Sequence, residues 1–183
     1  MSVTARRKND EEDIKKYSNK GNKSMVSKLD KIDLTILQNL QVEGRVTNVE
    51  LAKRAGISAP PCLRRVKALE DEGIIQGYYG VLNPQALGYT VFIFAEVTLT
   101  SQNDADLRDF EDQVQKWPMV RECYMVTGGS DFLLKVVAED FDDYQKFLST
   151  QLTTLPKVAQ VKTRMVVRSS KKLPGVPVET LVA

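Results

Sequence analysis

The sequence has no histidine, and only two cysteines and one tryptophan in 183 residues. Without an imidazole there is no Ser-His-Asp or Cys-His nucleophile pair, no histidine general base and no mixed Cys/His zinc site. Cys62 and Cys123 are too few for a four-cysteine metal site or a disulfide framework, which points to a reducing, cytoplasmic setting rather than secretion. Long hydrophobic runs are missing as well. The longest unbroken apolar stretch is Val91 to Ala95, far short of the roughly 20 residues of a membrane span. The polar N-terminus offers no apolar stretch of signal-peptide length. Nor is there an excess of one charge: 26 Lys and Arg stand against 24 Asp and Glu. What is abundant is apolar character, 42% of residues, enough to bury the core of one large domain or two small ones.

The near balance of charge is an average over two unequal halves. Residues 1–83 carry 15 Lys/Arg against 11 Asp/Glu, and residues 84–183 carry 11 against 13. The stretch from Arg45 to Leu69 concentrates the cations: Arg45, Lys53, Arg54, Arg64, Arg65 and Lys67 face one acid, Glu50. Such a cluster is either the footprint of a polyanion or a solvated charged face. Residues 1–27 are Lys-, Asn- and Ser-rich with scattered apolar residues, so a disordered extension is expected there. Gly80, Pro84 and Gly88 punctuate a linker over 81–89. Pro174, Gly175 and Pro177 mark an irregular tail over 169–183. The domains between are 28–80 and 90–168.

In the first domain Leu29, Ile32, Ile36, Leu37 and Leu40 fall on one helical face. Thr47-Asn48-Val49-Glu50 has the form of a capping box opening a second helix, and Gly56 suits the tight turn that follows. Ser58 can cap a third helix, with Pro60 and Pro61 in its first turn, where amides have no intrahelical partner. Cys62, Val66 and Leu69 mark its buried face, which turns Pro60, Arg64 and Lys67 outward. Ile74 to Tyr79 reads as a short hairpin or wing. Three such helices make a winged helix-turn-helix pattern, able to place a helix in a DNA major groove. A three-helix bundle or a protein-docking winged helix fits the same pattern.

The second domain alternates between strand and helix periodicity. Thr90 to Thr100, Met119 to Thr127, Asp131 to Ala138 and Val161 to Arg168 read as strands. Leu107, Phe110, Val114 and Trp117, and then Phe141, Tyr144, Phe147, Leu148 and Leu152, read as helices. The order βαββαβ predicts an antiparallel four-stranded sheet with both helices on one face, a ferredoxin-like α+β domain. Its uncovered apolar face predicts a dimer through the sheets.

Between two of these strands lies Thr127-Gly128-Gly129-Ser130-Asp131. It lacks the Gly-Lys-Ser/Thr ending of a phosphate loop and the strand-to-helix setting of a dinucleotide fingerprint. It is either a hairpin turn or the rim of a small-molecule pocket, in which amides take a carboxylate and Asp131 takes an ammonium group. The acidic clusters around Asp104 and Asp140 open helices, where they complement the dipole. No catalytic residue, metal ligand or cofactor is expected.

Together these stretches resemble the leucine-responsive/asparagine-responsive (Lrp/AsnC) family of transcription regulators. The matching residues are Leu29 to Asp33, Asn48 to Ala52, Gly56-Ile57-Ser58, Pro61 to Val66, Leu69-Glu70 and Gly73 to Tyr78. Thr127-Gly128 and Asp131 to Val136 match in the second domain. The resemblance covers about residues 28–170; residues 1–27 have no counterpart in it. It implies double-stranded DNA as partner, self-assembly as dimers that often close into octameric or higher rings, no membrane, and a cytoplasmic, nucleoid-associated location. It also implies an amino-acid effector bound around the Thr127 loop. The expected DNA-binding residues are Asn48, Lys53, Arg54, Ser58, Pro60, Arg64, Arg65 and Lys67. The expected ligand-binding residues are Thr127, Gly128, Gly129, Ser130, Asp131 and Thr163. An architectural or assembly protein of the same fold without effector, and an enzyme built on the ferredoxin-like domain, are the competing readings.

Overall fold

The computed structural model describes residues 29–181; the expected extension over 1–27 lies outside them. The described chain forms two units. A helical unit comprises residues up to Val81 together with those from Lys171 onward, and a sheet unit runs from Leu82 to Ser170.

The helical unit contains α1 (Lys31–Val42), α2 (Asn48–Arg54) and α3 (Ala59–Asp71). Asp30 opens α1 with a full capping box: its carboxylate accepts from the Ile32 and Asp33 amides, and the Asp33 carboxylate accepts from the Asp30 amide. The box expected at α2 is half made. Thr47 Oγ1 accepts from the Glu50 amide at 3.2 Å, but Glu50 Oε1 accepts from Arg54 Nε at 3.0 Å instead of reaching back. A guanidinium one turn away is a stronger partner for a carboxylate than a backbone amide. Ser58 occupies the cap position of α3 without a capping bond. Ile36, Leu51, Ala52, Cys62 and Leu69 form the core. The expected hairpin over Ile74–Tyr79 contains no strand. Both the Ile74 and Ile75 amides donate to Leu69 O, at 2.9 and 3.0 Å, and close α3. Beyond them Gly77 and Gly80 leave too few side chains to anchor a two-stranded ladder.

The sheet unit contains β1 (Val91–Leu99), α4 (Asp104–Val114), β2 (Val120–Met125), β3 (Phe132–Ala138), α5 (Phe141–Phe147) and β4 (Val158–Met165). All neighbours pair antiparallel in the order β2-β3-β1-β4. The last strand starts three residues earlier than its alternation suggests, because Val158 already pairs with Leu99 at the far end of β1. Alternate residues of the inner strands, Ile93, Ala95, Val97 and Leu99 on β1 and Phe132, Leu134, Val136 and Ala138 on β3, are buried beneath Phe110, Val114, Trp117, Tyr144, Phe147 and Leu152. Burying one large apolar side chain contributes about 1.5–3 kcal/mol. Edge-on ring packing of Trp117 on Phe147 (5.2 Å) and on Phe110 (6.5 Å) adds geometry to that burial. α5 widens into a π turn over Leu148–Leu152, which brings Leu152 into the core. Both thiols are free: Cys62 lies in the helical core, and Cys123 packs against the core of the sheet unit.

Candidate functional site

On the helical unit, the structure divides the expected DNA-binding residues into two groups. Asn48, Arg54 and Arg65 are spent inside the protein. Asn48 Nδ2 donates to Ala59 O at 2.9 Å and ties the start of α2 to the start of α3. Arg54 bridges Glu43 (2.7 Å) and Glu50 (3.0 Å). Arg65 holds Asp30 and Asp33, both at 2.7 Å, so α3 is pinned to the N-terminus of α1. The other five, Lys53, Ser58, Pro60, Arg64 and Lys67, are exposed, and their side chains have no partner among the described residues. Arg45 joins them; it lies in the cationic stretch, whose composition alone was the available signal. Pro60, Arg64 and Lys67 lie at i, i+4 and i+7 opposite buried Cys62 and Leu69, so α3 offers one outward polar stripe.

The loop between β2 and β3 is closed by two backbone bonds. The Val126 amide donates to Asp131 O and the Asp131 amide donates to Val97 O, each at 2.9 Å. Four residues, Thr127 to Ser130, stand outside that closure, and their amides have no acceptor among the described residues. Gly128 has φ +111°, a conformation that side-chain-bearing residues rarely adopt, and a Cβ on Gly129 would meet open space. The loop is thus an exposed arch of free N–H groups, able to receive an anion.

Asp131 does not project into it. The residue is 7% exposed, its Oδ2 accepts from the Leu99 amide at 2.7 Å, and its Oδ1 accepts from Gln102 Nε2 at 2.5 Å. Its carboxylate fastens the arch to the turn after β1. Thr163 is not beside the arch either. It lies on β4, the opposite edge of the sheet, where its hydroxyl shares a 2.7 Å hydrogen bond with that of Tyr144. Sequence reasoning missed Gln102, which is brought to the loop only by the fold. Burial pushes the Tyr144 hydroxyl up. Burial also raises the Cys62 thiol and pushes Cys123 up to about 11, so neither is a thiolate nucleophile near neutral pH. Among the described residues no cluster of acids and thiols has the form of a metal site, and no helix is long and apolar enough to cross a membrane.

Residues 29–76 match a family model for winged helix-turn-helix DNA-binding domains, and residues 92–176 match the Lrp/AsnC ligand binding domain. A leucine-responsive regulatory protein from Rhizobium meliloti is 51% identical over 143 residues, which are 78% of this chain and 92% of that one. The chain belongs to the Lrp/AsnC family. The leucine-responsive regulatory protein of Escherichia coli K12 is 42% identical over 144 residues, 79% of this chain and 88% of its own. A transcriptional regulator of Neisseria meningitidis, solved as a complex with L-Met, is 37% identical over 84% of this chain and 99% of its own, with a TM-score of 0.81. Escherichia coli AsnC is similar in structure, with a TM-score of 0.73 at 28% identity, over 79% of this chain and 95% of its own. As an Lrp/AsnC member this chain is a DNA-binding transcriptional regulator with a small-molecule-binding domain, and its curated relatives are regulators rather than enzymes. The α+β reading of a helix-turn-helix unit followed by an antiparallel sheet stands.

Proposed function

We propose that this regulator senses a free amino acid at the Thr127–Ser130 arch and carries the response to DNA as an oligomer. The observation behind it is the row of four amides without acceptors among the described residues, three of them on exposed residues, in the domain that matches a ligand-binding family. The arch amides take the α-carboxylate. Asp131 is a positioning residue that holds the arch through Leu99 and Gln102, and the ammonium group is met elsewhere, at a neighbouring subunit. Thr163 is left out of this pocket. On the DNA side, Arg45 and Lys53 meet phosphates, and Ser58, Pro60, Arg64 and Lys67 line the groove-facing side of α3. Dimers form through the uncovered sheet face, where Phe92, Phe94, Leu133 and Val137 are half-buried, and act on DNA in the cytoplasm. Their paired half-sites lie about 34–36 Å apart or at a multiple of that.

The test is a thermal-shift and DNA-titration series with the twenty amino acids, each compared with its carboxamide. An amino acid should raise the melting temperature and alter DNA binding, and its carboxamide, which lacks the carboxylate, should do neither. Equal responses to both would sink the arch as a carboxylate site. Asp131→Asn should weaken the apparent effector affinity while the folded protein still binds DNA. A titration curve unchanged by that substitution would remove Asp131 from the mechanism.

A further inference from the structure

Residues 171–181 follow the sheet unit in the chain yet belong to the helical unit. They are held at one end of α1. Gln41 Nε2 donates to Val176 O at 2.8 Å, and the Val176 amide donates to Gln41 Oε1 at 2.9 Å. A side-chain amide thus pairs with both backbone groups of one residue, as a neighbouring strand would. Gly175, just before it, has φ +67°, and a Cβ there would collide with Gln41 Oε1 and Cδ. Both reasons for glycine belong to the docked segment. Pro174 and Pro177 flank it and narrow the conformations of the free segment, so less entropy is lost on docking.

The attachment is slight. Val178 is the one buried residue among 171–181. With Val176 and Leu181 it lies over a cavity of about 500 Å3, lined also by Leu37, Leu40 and Ile74. One buried side chain and two solvent-exposed hydrogen bonds stand against the entropy of ordering eleven residues. The docked and free forms are therefore close in free energy, and a modest differential contact shifts their populations.

We infer that residues 173–178 are a reversible latch and that the groove between α1 and the Gly73–Tyr78 segment is its docking site. The chain passes between the two units after Val81 and again after Ser170. With the latch docked, the sheet unit is tethered to the helical unit at both ends; with it released, at one. The latch also seats on the helix whose Asp30 and Asp33 hold Arg65 of α3. Its release changes how firmly the DNA-reading helix is presented, a consequence that rests on the DNA-binding assignment, whereas the docking itself does not.

Hydrogen exchange on the full-length protein tests the docking. In the unmodified protein the Val176 amide should exchange through a local opening insensitive to low urea, while core amides such as Ile36 and Leu69 follow global unfolding. Exchange of Val176 together with the core would overturn reversibility. Gly175→Ala and Gln41→Ala should each speed Val176 exchange at least tenfold and leave the core amides unchanged. Unchanged protection in both variants would overturn the docking site. Titration of the same variants with paired half-site DNA should show at least a threefold change in affinity. Freed Val176 with unaltered DNA affinity would overturn the coupling to DNA.

Discussion

Fourteen buried side chains, from Ile93 to Leu152, make one cluster in the sheet unit, whereas five, from Ile36 to Leu69, make the cluster of the helical unit among the described residues. The helical unit compensates with directed contacts: Arg65 to Asp30 and Asp33, Arg54 to Glu43 and Glu50, Asn48 to Ala59 O. A small domain with little apolar volume is oriented by polar bonds, while a sheet under two helices is specified by volume. The difference matters for function. Two cations of the basic stretch are consumed inside the unit, Arg65 in holding α3 to the start of α1 and Arg54 in bridging Glu43 and Glu50.

The contrast can be broken most forcefully at the cores. Phe132→Ala, at a fully buried position against Phe110, should cost about 3–5 kcal/mol. Denaturant unfolding followed at Trp117 should show that loss in the sheet unit. Ile36→Ala, costing about 2–5 kcal/mol, should unfold the helical unit while the Trp117 signal persists. Coincident loss of both units in either variant would mean that their cores are not separate.

A finer contrast lies between two adjacent arginines. Arg64→Ala should weaken binding to specific DNA by about 1–3 kcal/mol and relax sequence preference, with the melting temperature unchanged. Equal losses on specific and random DNA would remove Arg64 from base reading. Arg65→Ala should do the reverse: about 1 kcal/mol of stability lost from a partly exposed pair, with specific and random DNA affected alike. A swap of these phenotypes would invert the assignment of the two side chains.

The smallest effect is a pH dependence. The Asp33 amide, and after it the Arg65 guanidinium, hold the Asp30 carboxyl below its ordinary value of 3.8. The unfolded chain therefore binds more protons near that pH, so Asp30 stabilises the fold above about pH 4 and the contribution vanishes as pH falls through the lowered value. Unfolding free energies between pH 5 and pH 3 should decline, and Asp30→Asn, which still caps the helix, should flatten the slope. An identical slope in the variant would show that the acid sensitivity arises elsewhere.

Much of this arrangement is legible without coordinates. Helical spacing from Leu29 to Leu40 and from Cys62 to Leu69 sets which face of each helix is buried, and β-branched runs locate the strands. Three features escape such reading for one reason: each depends on residues distant in the chain. Asp131 looks like a free acid at a loop, until Leu99 and Gln102 are brought beneath it. Thr163 has nothing in its local pattern to say that β1 lies between its strand and the arch. The role of Gly175 depends on Gln41, 134 positions earlier. The capping box at Asp30 and Asp33 is a different case, since its Asp-x-x-Asp spacing was present to be read. Arg65 carries the charge of a DNA-binding residue, yet its position two residues short of the outward stripe at Lys67 already sets it apart, and the fold gives it to Asp30 and Asp33.

The two free thiols end up one in each unit, Cys62 in the helical core and Cys123 against the sheet core, both held protonated by burial. Each is a built-in clock. An alkylating reagent reaches the buried Cys62 only when the helical unit opens, whereas the half-buried Cys123 reacts at a slow basal rate that rises as the sheet unit loosens, so the mass of the labelled fragments reports how each half of the regulator breathes, and how a bound ligand or DNA slows it.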